Sequence, residues 1–155
     1  MKHWRLFLFF FLALTFSGCS FQRYFILGNA TDQTISVQYT LETPMEESAI
    51  FGKEGEIYQS YRDYSPNWEH PLPYRDLNSS DQKVSIELGP KSTLVFGTLS
   101  NDQYDALTMK SSSDKLFNLV EMTFSSNGID YIITKDNFHD FFLEDGGTFK
   151  YVIQP

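Results

Sequence analysis

Strict alternation of apolar and polar residues over 35–41 is the feature that most constrains the fold. The apolar residues occupy every second position, namely Ile35, Val37, Tyr39 and Leu41. Side chains of a β-strand point alternately to the two faces of its sheet, so this pattern predicts a strand with one buried and one exposed face. Other short apolar segments follow along the chain, and none has the spacing of a long amphipathic helix.

About seven strands are predicted, separated by residues that favour turns. They centre on residues 24–27, 34–41, 84–88, 93–99, 116–124, 129–134 and 149–153, and a further short strand is expected at 56–61. This pattern predicts an all-β fold, an antiparallel β-sandwich with at most one or two short helices. An immunoglobulin-like strand order is one topology that fits it.

Several local features are also predicted from turn chemistry and periodicity. Segments 24–27 and 34–41 are expected to pair as a hairpin across the turn formers at 29–32. The apolar phase changes at Leu119 and Val120, which indicates a β-bulge there. The dipeptide at 127–128 is Asn-Gly, which suits a type I′ turn.

Three segments have weaker patterns. Residues 44–80 are irregular and rich in proline, so we expect them to pack against the sandwich or to carry edge strands. A helical turn is predicted at 103–107. A short helix is predicted at 136–144, with Phe138, Phe141 and Phe142 on its inner side.

The first 18 residues have the composition of an export signal. Lys2 and Arg5 are positive, and residues 6–16 form an uncharged, mostly apolar run. A helix that spans a bilayer needs about 20 apolar residues, whereas the apolar part of a signal peptide has about 7 to 15. The run therefore has the length of a signal peptide.

Small residues and one cysteine follow the apolar run, as Ser17, Gly18 and Cys19. This order resembles the lipobox of bacterial lipoproteins, with Phe16 where that family prefers leucine. The resemblance implies cleavage before Cys19 and fatty acylation of that residue, with residues 19–23 as a tether. In the enterobacterial sorting rule an aspartate after the cysteine favours the inner membrane, so Ser20 is compatible with sorting to the outer membrane. Ordinary secretion with cleavage near Ser17 and an uncleaved anchor are the alternatives.

The cysteine count supports acylation, because Cys19 is the only cysteine of 155 residues. A secreted domain held by disulfides would have an even number of cysteines. One acyl chain gives marginal attachment to a membrane, whereas two or more hold firmly. A lipidated Cys19 would therefore tether the chain permanently to the cell envelope.

The remaining chain has the size of one domain, expected over residues 24–155. Removal of residues 1–18 takes away Lys2 and Arg5 but no acidic residue, so the net charge changes from −8 to −10. Such a surface repels phosphate backbones, so we expect no nucleic-acid partner.

No motif for catalysis or metal binding is present in the sequence. After the signal, the histidines are His70 and His139, and no Gly-x-Ser-x-Gly motif exists. Asp136, Asp140 and Glu144 would line one face of a helix beside His139, which we interpret as a solvated acidic face rather than a calcium site. We therefore expect no enzymatic activity, no metal and no cofactor.

Segment 58–74 is the best candidate for binding because it concentrates rings beside polar groups. Its members are Tyr58, Tyr61, Tyr64, Trp68, His70 and Tyr74. Such rings anchor protein partners or stack on sugars, or they simply pack against the sandwich. We expect a non-catalytic, lipid-anchored envelope protein that contacts another envelope protein, with binding of a glycan or small ligand as the alternative.

The lipidation hypothesis predicts the outcome of Cys19→Ala. This substitution removes the thiol that would carry the diacylglycerol, so fatty-acid labelling should be lost and the protein should move to the soluble fraction. Labelling of cells followed by fractionation measures both effects. Unchanged labelling of the variant would contradict the hypothesis.

Overall fold

The computed structural model describes residues 20–42, 48–78 and 82–155, within which it has twelve β-strands. The predicted signal peptide and Cys19 lie outside these residues. The described chain enters its first strand at Gln22, two residues earlier than the sequence predicts.

Six strands form the larger sheet: β1 (Gln22–Asn29), β3 (Phe51–Ser60), β4 (Pro66–Leu72), β6 (Ser92–Ser100), β11 (Leu143–Asp145) and β12 (Thr148–Ile153). Their order is β11-β12-β1-β6-β3-β4. Neighbours are antiparallel, except that β1 and β12 run parallel.

Four strands form the second sheet: β2 (Ile35–Leu41), β5 (Lys83–Leu88), β9 (Leu119–Ser126) and β10 (Ile129–Thr134). Their order is β10-β9-β2-β5, and all pairs are antiparallel. A small hairpin of β7 (Tyr104–Asp105) and β8 (Lys110–Ser111) lies between β6 and β9 in the chain. The 3₁₀ turn Lys135–Asn137 leads into the short helix α1 (Phe138–Phe141).

The two sheets enclose one hydrophobic core, which confirms the predicted all-β sandwich. Aromatic rings fill its centre. The ring of Phe25 lies 5.0 Å from that of Phe51 and 5.3 Å from that of Tyr104, both edge to face. Edge-to-face packing is favourable because the positive edge of one ring meets the negative face of another.

The strand order differs from the immunoglobulin arrangement that the sequence allows. In that arrangement the first two strands share a sheet, whereas β1 and β2 lie in different sheets here. The predicted hairpin of 24–27 with 34–41 is therefore wrong. Residues 25–29 are all buried, so β1 is an interior strand whose two edges are taken by β6 and β12.

Other local predictions are confirmed. The burial of β2 alternates as predicted. Thr40 pairs with Glu121 and Leu41 pairs with Leu119, so Val120 is the extra residue of a β-bulge. The turn from β9 to β10 has φ of 53° at Asn127 and 74° at Gly128, as a type I′ turn requires.

Two helical predictions need correction. Residues 103–107 form no helical turn, because Tyr104–Asp105 pairs with Lys110–Ser111. The helix predicted at 136–144 ends at Phe141, since Leu143–Asp145 pairs with β12. Phe138 and Phe142 are buried as expected, and Phe141 packs against the core while half-buried. The irregular segment 44–80 contains β3 and the edge strand β4.

The edges of the larger sheet are poor templates for further strands. Pro66 and Pro71 lie in the edge strand β4, and proline has no N–H to donate. The opposite edge strand, β11, has only three residues, of which Glu144 and Asp145 are exposed carboxylates. Short, charged edges of this kind prevent edge-to-edge association.

Side chains and loops cover the edges of the smaller sheet. At β5, the N–H of Ser85 donates to Asp76 at 2.9 Å and its carbonyl accepts from the N–H of Leu77 at 2.7 Å. At β10, the Asn137 amide accepts from the N–H of Thr134 at 2.6 Å and donates to the carbonyl of Ile132 at 3.2 Å. Contacts with partners are therefore expected on the faces and ends of the sandwich.

Asn29 joins the two sheets at the end of β1. Its side chain is fully buried, and Nδ2 lies 2.8–3.0 Å from the carbonyl oxygens of Gln33, Leu88 and Gly89. Its Oδ1 accepts from the N–H and the hydroxyl of Thr31. A single amide therefore satisfies buried backbone groups where the chain crosses between sheets.

The isosteric substitution Asn29→Asp should destabilise the fold by about 3 kcal/mol or more, because it places a carboxylate against three carbonyl oxygens. The cost should shrink as the pH falls from neutral and be smallest below about pH 4, because burial against carbonyl oxygens raises the pKa of the new carboxyl and the protonated group can donate again. Chemical denaturation at several pH values measures it. Asn127→Asp, in an exposed turn that tolerates aspartate, is the matched control and should change stability by less than about 0.5 kcal/mol.

Candidate interaction surface

The outer face of the six-stranded sheet, turned away from the four-stranded sheet, is covered. Ile26 on β1 and Val95 on β6 are paired and buried, yet neither belongs to the core between the sheets. Ile26 lies between Phe25 and Leu27, which both point into that core, so its side chain points outward. Other residues must therefore shield this face from water.

The loop between β3 and β4 provides part of this cover. The Thr93 hydroxyl donates to the carbonyl of Tyr64 at 3.0 Å, and the Lys150 ammonium donates to the carbonyl of Asp63 at 3.0 Å. The loop thus crosses from β3 over β6 to β12. A Cβ on Gly28 would lie 3.0 Å from the Cβ of Tyr64, so glycine leaves the space that Tyr64 fills.

Three rings form an outer aromatic cluster, which we define as Tyr24, Tyr58 and Trp68. The Trp68 ring centroid lies 4.9 Å from that of Tyr24 and 4.9 Å from that of Tyr58, with interplanar angles of 41° and 69°. Trp68 is nevertheless 46% exposed. The two tyrosines hold the indole in place while much of its surface stays open to solvent.

Polar groups border this cluster. The Tyr58 hydroxyl donates to the Glu56 carboxylate at 2.9 Å, and the Tyr24 hydroxyl donates to the side-chain oxygen of Gln22. Burial, and then the negative charge of Glu56, raise the pKa of Tyr24; burial and the interaction with Glu56 do the same for the pKa of Tyr58. Both phenols therefore remain protonated donors at neutral pH, beside one carboxylate and one amide.

The structure divides the six predicted residues between different environments. Tyr58 and Trp68 belong to the outer aromatic cluster, and Tyr64 packs beside it over Gly28. Tyr61 and His70 are exposed. Tyr74 packs against the core, and its hydroxyl donates to the carbonyl of Lys53 at 2.6 Å.

Tyr24 completes the cluster, and the sequence interpretation missed this role by treating it only as a strand residue. Its position two residues before Ile26 could have indicated that both side chains lie on the same face of β1. Residues at i and i+2 share one face of a strand, and that face is the one that Trp68 covers.

Two surface depressions among the described residues lie on the four-stranded sheet. Their volumes are about 360 and 90 Å³, and the larger is lined by Ser36, Gln38, Thr123, Ser125, Asp130 and neighbouring residues. Ser125 already donates to Asp130. The outer aromatic cluster lines neither of these two depressions.

His139 meets a hydroxyl, but the arrangement does not suit nucleophilic catalysis. Its Nε2 lies 3.1 Å from the Tyr104 hydroxyl. Burial, assisted by the charge of Asp105, raises the pKa of Tyr104, which makes its oxygen a poor nucleophile at neutral pH. The rings of Phe138 and Phe149 lie 5.2 and 5.8 Å from the imidazole, so the pair closes one end of the core.

Asp102 forms a second polar cluster at this end. Its carboxylate accepts from the hydroxyl of Ser112 at 2.7 Å and from the hydroxyl and N–H of Ser113 at 2.5 and 3.0 Å. Burial opposes ionisation, but hydrogen bonds from Ser111, Ser113 and Ser112 outweigh it and hold the pKa of Asp102 well below its usual range. These groups fix the segment after β6 to the base of the β7–β8 hairpin.

The acidic face predicted from Asp136, Asp140 and Glu144 does not form, because Glu144 lies in β11 and pairs with Arg23. Among residues 20–42, 48–78 and 82–155, no group of three or more His, Cys, Asp or Glu side chains is placed to hold a metal ion. No helix in the same ranges is long and apolar enough to cross a membrane.

Comparison with protein families, with curated proteins and with solved structures finds no match to this chain. Evidence for a function of this chain therefore comes from the chemistry of its own residues.

The environment of His139 predicts a pH dependence of stability. Burial lowers its pKa although Asp140 and Glu144 oppose the shift, so the unfolded chain binds this proton more readily than the folded chain. The free energy of unfolding should therefore fall as the pH is lowered past about 6.5, the ordinary histidine value. Chemical denaturation between about pH 7.5 and about pH 5 measures this decrease.

His139→Gln should remove the decrease, because glutamine has no proton to gain in this range. His70→Gln is the matched control and should retain it, since His139 is still present. The lowered pKa values of Asp102 and Asp63 act only below about pH 4, where their stabilising contribution is lost as the pH falls. A decrease that persists in His139→Gln would contradict the assignment.

Proposed function

We propose that this protein is a non-catalytic, lipid-anchored component of the bacterial cell envelope, held in the outer membrane by Cys19. We propose further that it acts by contacting another envelope protein through the outer aromatic cluster. One observation carries this proposal: Trp68 is 46% exposed although two tyrosine rings fix its position.

An exposed tryptophan held in this way has the properties of an interface hot spot. Tryptophan and tyrosine dominate the binding energy of protein interfaces, and truncation of such a residue commonly costs 2 kcal/mol or more. Contacts with Tyr24 and Tyr58 restrict the indole before binding. Less side-chain entropy is then lost when a partner covers it.

The charge of the domain indicates the kind of protein partner. The chain after residue 18 has a net charge of −10. Two exposed carboxylates are near Trp68: Glu56 accepts from Tyr58, whose ring contacts Trp68, and Glu69 is the next residue in the sequence. A partner surface with arginine or lysine side chains would match both the carboxylates and the indole face, since cations are attracted to the face of tryptophan. We therefore expect a basic partner surface.

Photo-crosslinking in intact native cells tests the proposal. A photoreactive residue at position 68 should give a crosslink to an envelope protein. The same residue at Glu87, exposed on the four-stranded sheet, should not. Trp68→Ala should weaken capture of that protein by about 30-fold, the equivalent of about 2 kcal/mol.

The melting temperature of Trp68→Ala separates binding from folding. Because the indole is nearly half exposed, the melting temperature should fall by only a few degrees. Tyr64→Ala is the comparison, since Tyr64 packs on Gly28 and its loss should reduce stability more. Equal crosslinking at positions 68 and 87, or unchanged capture by Trp68→Ala, would contradict the proposal.

Binding of a glycan is the second candidate, favoured by the polar border of the cluster. A sugar can stack on an exposed indole while its hydroxyls donate to acceptors such as Glu56 and Gln22. The negative charge of the domain favours a neutral sugar over an acidic one. Binding on a glycan array that Trp68→Ala abolishes would favour this candidate, and an array without hits would remove it.

A further inference from the structure

We infer that the end of the sandwich at which β1 begins lies on the bilayer surface, and that Leu107 enters the interfacial region of the lipid there. This inference rests on the proposed lipidation of Cys19. It adds a second membrane contact, made by the folded domain itself, to the covalent anchor.

The path of the chain at Phe21 limits how far the domain can stand from the membrane. The N–H of Phe21 donates to Oδ1 of Asn101 at 3.1 Å, and the N–H of Asn101 donates to the carbonyl of Phe21 at 2.8 Å. The fold therefore holds the backbone at Phe21. Cys19 is two residues earlier, so the two Cα atoms are at most about 7 Å apart.

The β7–β8 hairpin projects from this same end. Gln22 at the start of β1 pairs with Ser100 at the end of β6, so the segment that follows β6 emerges beside Phe21. The hairpin Tyr104–Ser111 begins three residues after Asn101. A lipid attached to Cys19 would thus hold the hairpin against the headgroups.

Leu107 lies at the tip of the hairpin and is 96% exposed. The turn that presents it is fixed by Asp105, whose carboxylate accepts from the N–H of Leu107 and from the hydroxyl of Thr108, each at 2.9 Å. At the base, Tyr104 is buried in the core and Asp102 is bonded to Ser112 and Ser113. A rigid turn therefore holds an apolar side chain in water. Transfer of this side chain from water into lipid would be favourable.

Neighbouring side chains fit a lipid surface. Phe21 and Leu116 are each 41% exposed and lie at the same end. Within residues 104–116, Lys110 and Lys115 balance the exposed Asp105 and Asp114, so the projecting part of the hairpin carries no net charge, and the buried Asp102 at its base adds one negative charge. Asp140 and Asp145 are also exposed at this end, which favours zwitterionic over anionic headgroups.

Labelling of single cysteines in the lipidated full-length protein tests the inference. If Cys19 is acylated, Leu107→Cys introduces the only reactive thiol, and an environment-sensitive fluorophore can be attached to it. Gln33→Cys is the matched control, because Gln33 is exposed in the turn between β1 and β2 at the opposite end. Both proteins are reconstituted in phosphatidylcholine vesicles that contain quencher-bearing lipids.

The label at position 107 should shift to shorter emission wavelength and lose most of its fluorescence to the lipid-borne quencher. The label at position 33 should remain as in water. Equal behaviour of the two labels on a lipidated protein would overturn the membrane contact of Leu107 and leave the proposed lipid anchor in place. Shielding of the label at 107 in soluble Cys19→Ala protein without vesicles would indicate a second copy of the chain and would also overturn it.

Mass spectrometry of the N-terminal peptide from the same preparation separates the two proposals. A diacylglyceryl-modified Cys19 leaves the anchor in place whatever the labels report. An unmodified Cys19 overturns the anchor, and the membrane contact of Leu107 falls with it.

Discussion

Burial of β1 on both faces is the constraint on which the rest of the structure depends. Phe25 and Leu27 point into the core between the sheets, and Ile26 points to the opposite face, yet all three are buried. A strand buried in this way needs a packed core on one side and a separate cover on the other. The core is supplied by the four-stranded sheet, and the cover by the β3–β4 loop with Trp68. The candidate interaction surface is thus a consequence of where β1 lies.

Regular alternation made much of the sandwich predictable. Local rules for strands with one solvent-exposed face account for three features: the alternation in β2, the bulge at Val120 and the Asn127-Gly128 turn. Pairing of β1 with β2 was wrongly predicted. Neighbouring strands in sequence often form a hairpin, but β1 is buried on both of its faces and lies inside the larger sheet, whereas β2 belongs to the other sheet. Residues 25–28 of β1 include no polar side chain, and such an uninterrupted apolar run is typical of an interior strand. The helix at 136–144 ends early because pairing of Leu143–Asp145 with β12 overrides local propensity.

The aromatic surface was predictable in part, for a physical reason. Composition identifies a segment rich in rings, and Tyr58, Tyr64 and Trp68 do gather over the same sheet face. Composition carries no information about which rings turn inward, and Tyr74 packs against the core. Tyr24 contacts Trp68 although they are far apart in sequence. Such a contact depends on the pairing of β1 with β6 and of β6 with β3, which no local pattern specifies.

The closed sheet edges and the short tether together restrict how the proposed anchor and the outer aromatic cluster can work. Strand addition is disfavoured at β4, β5, β10 and β11, so a partner has to approach a face or an end. Tyr24 is five residues after Cys19, so the two Cα atoms are at most about 18 Å apart. If Cys19 carries the proposed lipid, a partner that covers Trp68 would lie close to the bilayer as well. This geometry favours a membrane-bound protein over a freely diffusing one, because confinement of both molecules to one surface raises their effective concentration and allows a modest interface to suffice.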